Sequence, residues 1–437
     1  MTRMCFLTPA CKVRPQPINP PHFSEGTPPL MSTALFAVLR LALVPLLLVS
    51  VLLLPYIGGD PSAYVAILFA LLIVIVDFAL PRRQNFDPTS AWFMVSFLLL
   101  AVVFVITNRP GTLDFLFIVN FIMFALFAPL ATGLLRVAGP LNARRVADFA
   151  LLGTLIALGF ALFQVFVEHH SRARGFESSP IRAATAALFL GFLALMGFIQ
   201  SPGPRRFIYL LGPIMGIVVV YLSRSRGPFL ALLPLLAVAL LLIPRRRMTG
   251  IVVLVAIAVV GTAALFLVPQ FFGRLARLPE MIGQVLSGQT VTDGSGNIRD
   301  RILQGSLAAF AHSPWVGYGW GAKTAVVDSY LVRKVFGASD SYHLHSDLLD
   351  FGVSGGIVGL LSYALLLIGP VVGALRSPRD SQFKSRLYAV LILVVGYVCC
   401  GAVNLMIGFE LMTTFYVCMV AIVLGYCRDE PLPPRLP

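Results

Sequence analysis

Charge is scarce in this chain. Among 437 residues there are 19 Asp and Glu and 33 Lys and Arg, so charged residues are 12% of the total against 58% hydrophobic. With a mean hydropathy of +0.88, a water-soluble domain is excluded. Cysteine is also sparse. The six, Cys5, Cys11, Cys399, Cys400, Cys418 and Cys427, contain no Cys-x-x-Cys, and all fall in predicted cytoplasmic or membrane positions, which leaves none for an external disulfide. There is no Asp-x-Asp pair. The first thirty residues hold many prolines but no apolar core with a cleavage site, so they read as a disordered tail rather than a signal peptide. Met31, at the head of the first apolar run, is an alternative start of translation.

Long apolar runs are what the chain has in abundance. They fall near 31–54, 61–80, 90–107, 113–138, 148–167, 183–200, 207–222, 227–243, 249–268, 348–375, 386–407 and 409–427, close to the ~20 residues a helix needs to span the hydrocarbon core. The runs are continuous rather than alternating, which excludes transmembrane strands. The expected fold is an all-α polytopic membrane protein of about twelve transmembrane helices with a long periplasmic loop containing short helices. The seventh and eighth runs are separated only by Ser223-Arg-Ser-Arg-Gly227, so one tilted or broken helix is an alternative there.

Basic residues set the orientation. With the N-terminus in the cytoplasm, about 19 Lys and Arg lie on the cytoplasmic side and about 6 in the short loops of the other face, the expected bias. The organisation that follows is a tail (1–30), helices 1–9 (31–268), an outer loop (269–347), helices 10–12 (348–427) and a second tail (428–437). Much of the net charge of +14 is therefore topological, and it argues for neither nucleic acid nor an acidic protein partner.

The polar residues that remain gather at the outer face. Arg224 and Arg226 sit between two apolar runs, where an arginine is costly unless solvated or paired; a guanidinium there can hold phosphate oxygens bidentately, or else snorkel to lipid headgroups. Arg299 and Arg301 open a helical stretch to His312, with Ile302, Leu303, Leu307 and Phe310 on one face. A cation in a first helical turn opposes the dipole, which weakens a purely structural account. Pro314, Gly317, Gly319 and Gly321 stop that helix, a second is expected near 322–336, and together they would cap the membrane domain. Trp315, Tyr318 and Trp320 suit either an interfacial belt or stacking on sugar. In Ser341-Tyr-His-Leu-His-Ser-Asp-Leu-Leu-Asp350, an extended backbone would turn His343 and His345 the same way. A neutral imidazole there could take a hydroxyl proton. The alternatives are a capping or surface histidine, a structural hydrogen bond, or a divalent-ion site made of His343, His345, Asp347 and Asp350. His169 and His170 read as surface residues.

Arg299, Pro314 and the Gly317-Tyr-Gly-Trp-Gly321 turn, with His345-Ser-Asp-Leu-Leu-Asp-Phe-Gly-Val-Ser-Gly-Gly356 and Ser225-Arg226-Gly227 opening a helix, resemble the signature elements of the O-antigen ligase and polymerase superfamily. Ser346 stands where that family often has Asn. The resemblance implies an inverting, metal-independent transfer without cofactor. A glycan would pass from undecaprenyl pyrophosphate to a lipid A–core or other periplasmic acceptor, at the periplasmic face of a bacterial inner membrane. Carried over by position, His345, Arg299 and Arg226 would be catalytic. Arg224, Arg301, His343, Gly317, Gly319 and Trp320 would bind substrate. The nearest rival is a repeat-unit polymerase of the same superfamily. A transporter or lipid flippase would place ionisable groups near the midplane, whereas Arg40 and Asp77 lie close to span ends, and a structural scaffold would need none of the arginine and histidine set.

Overall fold

The computed structural model describes residues 42–78, 88–108, 114–137, 142–176, 179–243, 252, 294–332, 334–336 and 343–429. Among these residues every regular element is a helix. In chain order they are α1 (Ala42–Leu53), α2 (Pro55–Phe78), α3 (Pro88–Thr107), a 3-10 segment Asp114–Phe121 running into α4 (Ile122–Val137), and α5 (Ala143–Phe166). Then come α6 (Pro180–Gln200), a 3-10 turn Pro204–Leu210 leading into α7 (Leu211–Ser223), and α8 (Arg226–Leu242). They are followed by α9 (Gly294–His312), α10 (Lys323–Ser329), α11 (Asp347–Arg376), α12 (Phe383–Gly401) and α13 (Glu410–Tyr426).

Among the described residues eight helical stretches are long and apolar enough to cross a membrane, and α1, α8 and α13 are shorter apolar helices. Eleven of the twelve expected runs are thus helical where they are described; the run 249–268, apart from residue 252, and all of 269–293 lie outside the described residues. The seventh and eighth runs form two helices rather than one broken one. Arg224 between them takes a left-handed conformation (φ 53°, ψ 34°), which no helix can continue through. Helix α12 ends at Gly401, six residues before the apolar pattern does. Met406 and Ile407 give their N–H groups to the carboxylate of Asp347, and Gly408 has φ 117°, so residues 402–409 cross the end of the bundle irregularly.

Two helices, α6 and α13, are buried on nearly every side. Such helices must be apolar all round, and both are. Small residues let α6 lie close to its neighbours: a Cβ on Gly191 would come within 2.5 Å of the Gly212 carbonyl of the α7 segment. The ends of these two central helices that start at Pro180 and Glu410 face the cap, and they carry the side chains described next.

Candidate active site

The cap has its own small core of Ile302, Ala309, Val327, Phe336, Leu344 and Val353. Helix α9 starts at Gly294, so Arg299 lies beyond its first turn and the expected conflict with the helix dipole does not arise. The face of α9 turned inward also differs from expectation. Ile302, Gly305, Ser306 and Ala309 are buried, whereas Leu303 and Leu307 are exposed, because Gly305 lets Val327 approach closely. The second cap helix is only α10, ending at Ser329; Asp328 then accepts the N–H groups of Val335 and Phe336.

A break in α11 seats the cap. Gly356 (φ 59°, ψ −147°) interrupts the helix, which strands carbonyls before it and N–H groups after it. The turn 314–319 supplies the partners. Ile357 N–H donates to the Pro314 carbonyl (2.7 Å), while Tyr318 and Gly319 donate to the carbonyls of Val353 and Ser354 (3.0 and 2.8 Å). Gly317 has φ 70°, and a Cβ there would overlap the Val353 carbonyl. Trp320 is buried, stacked on Phe104 at 5.0 Å and edge-on to Phe121 and Phe351. Of the residues assigned to substrate by resemblance, Gly317, Gly319 and Trp320 are therefore engaged in packing.

The two histidines do come together. Their ring centroids are 4.3 Å apart and nearly perpendicular. The segment is neither the extended strand that would turn both rings the same way nor a helix that would splay them: His345 is left-handed (φ 58°), a conformation that costs a non-glycine residue of the order of 1–2 kcal/mol. The backbone N–H of His345 donates to Nδ1 of His343 (3.3 Å), which places the proton of neutral His343 on Nε2. Leu344, between them, donates its N–H to Asp350 (2.8 Å), and Asp350 also pairs with Lys323.

The Phe409 ring lies 5.3 Å from that of His343, edge to face, and the Arg182 guanidinium lies 4.1 Å above the Phe409 ring, a cation–π distance. Arg182 is buried, in the first turn of α6, and reaches Asp60 at 3.7 Å. Burial pushes both histidines down to about 4. For His343 the positive charges of Lys323 and Arg182 add to it; for His345 those of His343 and Arg299 add and Asp350 opposes. Both rings are therefore neutral near pH 7, and Arg299 is close enough to His345 to act on it electrostatically.

Arg226 opens α8 at the same end. A Cβ on its neighbour Gly227 would lie 3.3 Å from Val403 and 3.6 Å from Ile181, so the start of α8 sits between the start of α6 and the 402–409 segment. The turn before it is held from outside: Arg172 donates to the Ser223 carbonyl (2.8 Å) and to Ser225 Oγ (3.3 Å). Arg224, exposed at that turn, stands on a strained backbone. Arg301 lies roughly 200° around α9 from Arg299, with Nη2 buried and no hydrogen-bond partner among the described residues. His169 and His170 lie at the surface.

Asp347 and Asp350 are fully buried and turned to different partners, Met406 and Ile407 for one, Lys323 and Leu344 for the other. Among the described residues no group of three or more His, Cys, Asp or Glu side chains is arranged to hold a metal ion. Sequence reasoning missed Arg182, Lys323 and Phe409. A cation in the first turn of an apolar helix is the signal that could have found Arg182; Lys323 and Asp350 share no spacing that would. A family model described as O-antigen ligase matches residues 211–364, and no curated protein matches the chain. The matched stretch holds Arg226, Arg299, Lys323, both histidines and Asp350, while Arg182 and Phe409 join them from outside it.

Proposed function

We propose that this membrane protein is a glycosyltransferase of the O-antigen ligase superfamily, whose family pattern residues 211–364 carry. It would move a glycan from undecaprenyl pyrophosphate to a lipid A–core or other periplasmic acceptor, at the periplasmic face of a bacterial inner membrane. The observation that carries the reading is the pair of neutral, half-buried histidines within electrostatic reach of Arg299, at the bundle end where α8 begins with Arg226.

The chemistry follows from those groups. His345 takes the proton of the acceptor hydroxyl as its oxygen attacks the anomeric carbon. The bond to the pyrophosphate breaks on the opposite side, its electron pair leaves with the pyrophosphate oxygen, and the anomeric configuration inverts. Negative charge grows on that leaving group, so arginines fixed beside it stabilise the transition state more than the ground state. A hydrogen bond to a charged group contributes about 1.5–3 kcal/mol, so Arg226 and Arg299 together supply several kcal/mol. Burial, with the Arg299 charge adding to it, keeps His345 unprotonated and ready to accept.

The test uses deletion cells complemented with variants. Lipopolysaccharide gels should lose capped species with His345→Ala and with Arg226→Lys, the latter because lysine lacks the bidentate fork. Arg205→Lys should behave as wild type. Loss of general-base assistance is worth about 10²–10⁴-fold, so His345→Ala should retain a trace of activity. Polymer left on the carrier identifies a ligase; a ladder collapsed to one repeat identifies a polymerase. Full activity in His345→Ala would refute the mechanism.

A further inference from the structure

Outside the groups that face substrate, one feature stands apart from packing. Lys323, the first residue of α10, is 4% exposed, and Asp350, in the first turn of α11, is 0% exposed. Lysine and aspartate are almost never this buried unless paired, and here Nζ of Lys323 pairs with Oδ1 of Asp350. The second oxygen, Oδ2, accepts the N–H of Leu344, the residue between the two histidines.

We propose that Lys323 and Asp350 form a buried positioning pair that ties the His343–His345 segment to both the cap and the membrane helix, and that balances charge around the two rings. Asp350 holds the segment by its backbone, and Lys323 holds Asp350. Neither touches the reacting atoms. A buried ion pair contributes little to stability compared with apolar residues of the same volume. Its use here is to fix one conformation of a left-handed segment that the backbone alone disfavours.

The electrostatic half of the role follows from the charges that face the rings. They are Arg182 from α6, Arg299 from α9, Lys323 from α10 and Asp350 from α11; Phe409, from the 402–409 segment, adds no charge. Burial is the larger reason the histidines stay neutral, and the excess of three cations over one carboxylate adds to it. Without Lys323 the carboxylate would be buried and uncompensated beside His345, and the two would share a proton that the ring now refuses.

The pair's consequence for transfer rests on the proposed site, but its test does not. In the full chain in detergent, diethyl pyrocarbonate carbethoxylates imidazole but not imidazolium, and tandem mass spectrometry that assigns the adduct to His343 or His345 across pH gives the protonation midpoint without any glycan. Lys323→Met should raise the midpoint by about 1 unit or more, since an opposite charge within reach shifts a titration by about 1–3 units. Asp350→Asn keeps an oxygen for Leu344 but strands the lysine, and should lower the midpoint. The double variant should return close to wild type and recover most of the transfer activity lost by each single change. If both singles fail to fold and the double folds, the same coupling is read as stability. Midpoints that do not move, or a double variant no better than its worse parent, would overturn the proposal. A wild-type chain that transfers no lipid-linked glycan would instead remove the functional reading and leave these midpoints interpretable.

Discussion

Gly317→Ala separates a ligand-contacting glycine from a docking one. Its backbone is left-handed at φ 70°, which costs an L-residue about 1–2 kcal/mol. A methyl group there would also overlap the Val353 carbonyl. Relieving that overlap pulls the turn away from α11, at the expense of the bonds from Tyr318 and Gly319 to Val353 and Ser354. Each is worth about 0.5–1.5 kcal/mol, so the whole loss is about 2–5 kcal/mol. Gly203→Ala is the control. Gly203 has nearly the same φ, 71°, and a methyl group on it would meet nothing within 4 Å, so it should show only the backbone part. The entropy gained by restricting the unfolded chain is common to both and cancels. Equilibrium unfolding in SDS–detergent mixtures should therefore place Gly317→Ala about 1–3 kcal/mol below Gly203→Ala. Equal losses would refute the docking of the turn into the helix break. An unchanged stability with a weakened affinity for donor would return Gly317 to the substrate.

Two further expectations follow from the same geometry. With both histidines pushed down to about 4, the acid limb of kcat/KM should fall near pH 4 rather than near the ordinary 6.5, and a limb at 6.5 would mean an exposed base. Between those values the unfolded chain binds protons that the folded chain refuses, so these groups' contribution to stability is complete above pH 6.5 and is lost as pH falls through about 4; unfolding midpoints measured from pH 7 to 4 check this. For orientation, a reporter fused after Thr290 should read periplasmic and one after Arg246 cytoplasmic, and the reverse would put the site on the wrong face.

Hydropathy made the helical architecture legible, because a backbone in lipid must satisfy its own hydrogen bonds and therefore needs long apolar helices. Eleven of the twelve runs could be placed from that constraint alone. His343 and His345 were legible as a pair through their spacing, Arg226 through the cost of a cation in an apolar setting, and Arg299 through its place at the head of an expected helix in the outer loop. The conformation that joins the histidines was not, since a left-handed His345 is disfavoured locally and exists because Asp350 holds the neighbouring N–H. The end of α12 was misread for a similar reason. Leu405, Met406 and Ile407 continue the apolar pattern, but a buried carboxylate fifty-nine residues before Met406 takes the N–H groups of Met406 and Ile407. Hydropathy records how well each side chain suits lipid; it is blind to which distant carboxylate meets which N–H. Those meetings, Lys323 with Asp350, Arg182 with Phe409 and the glycine turn with the break in α11, were decided by the tertiary structure, because each joins groups that only the packed helices bring within reach.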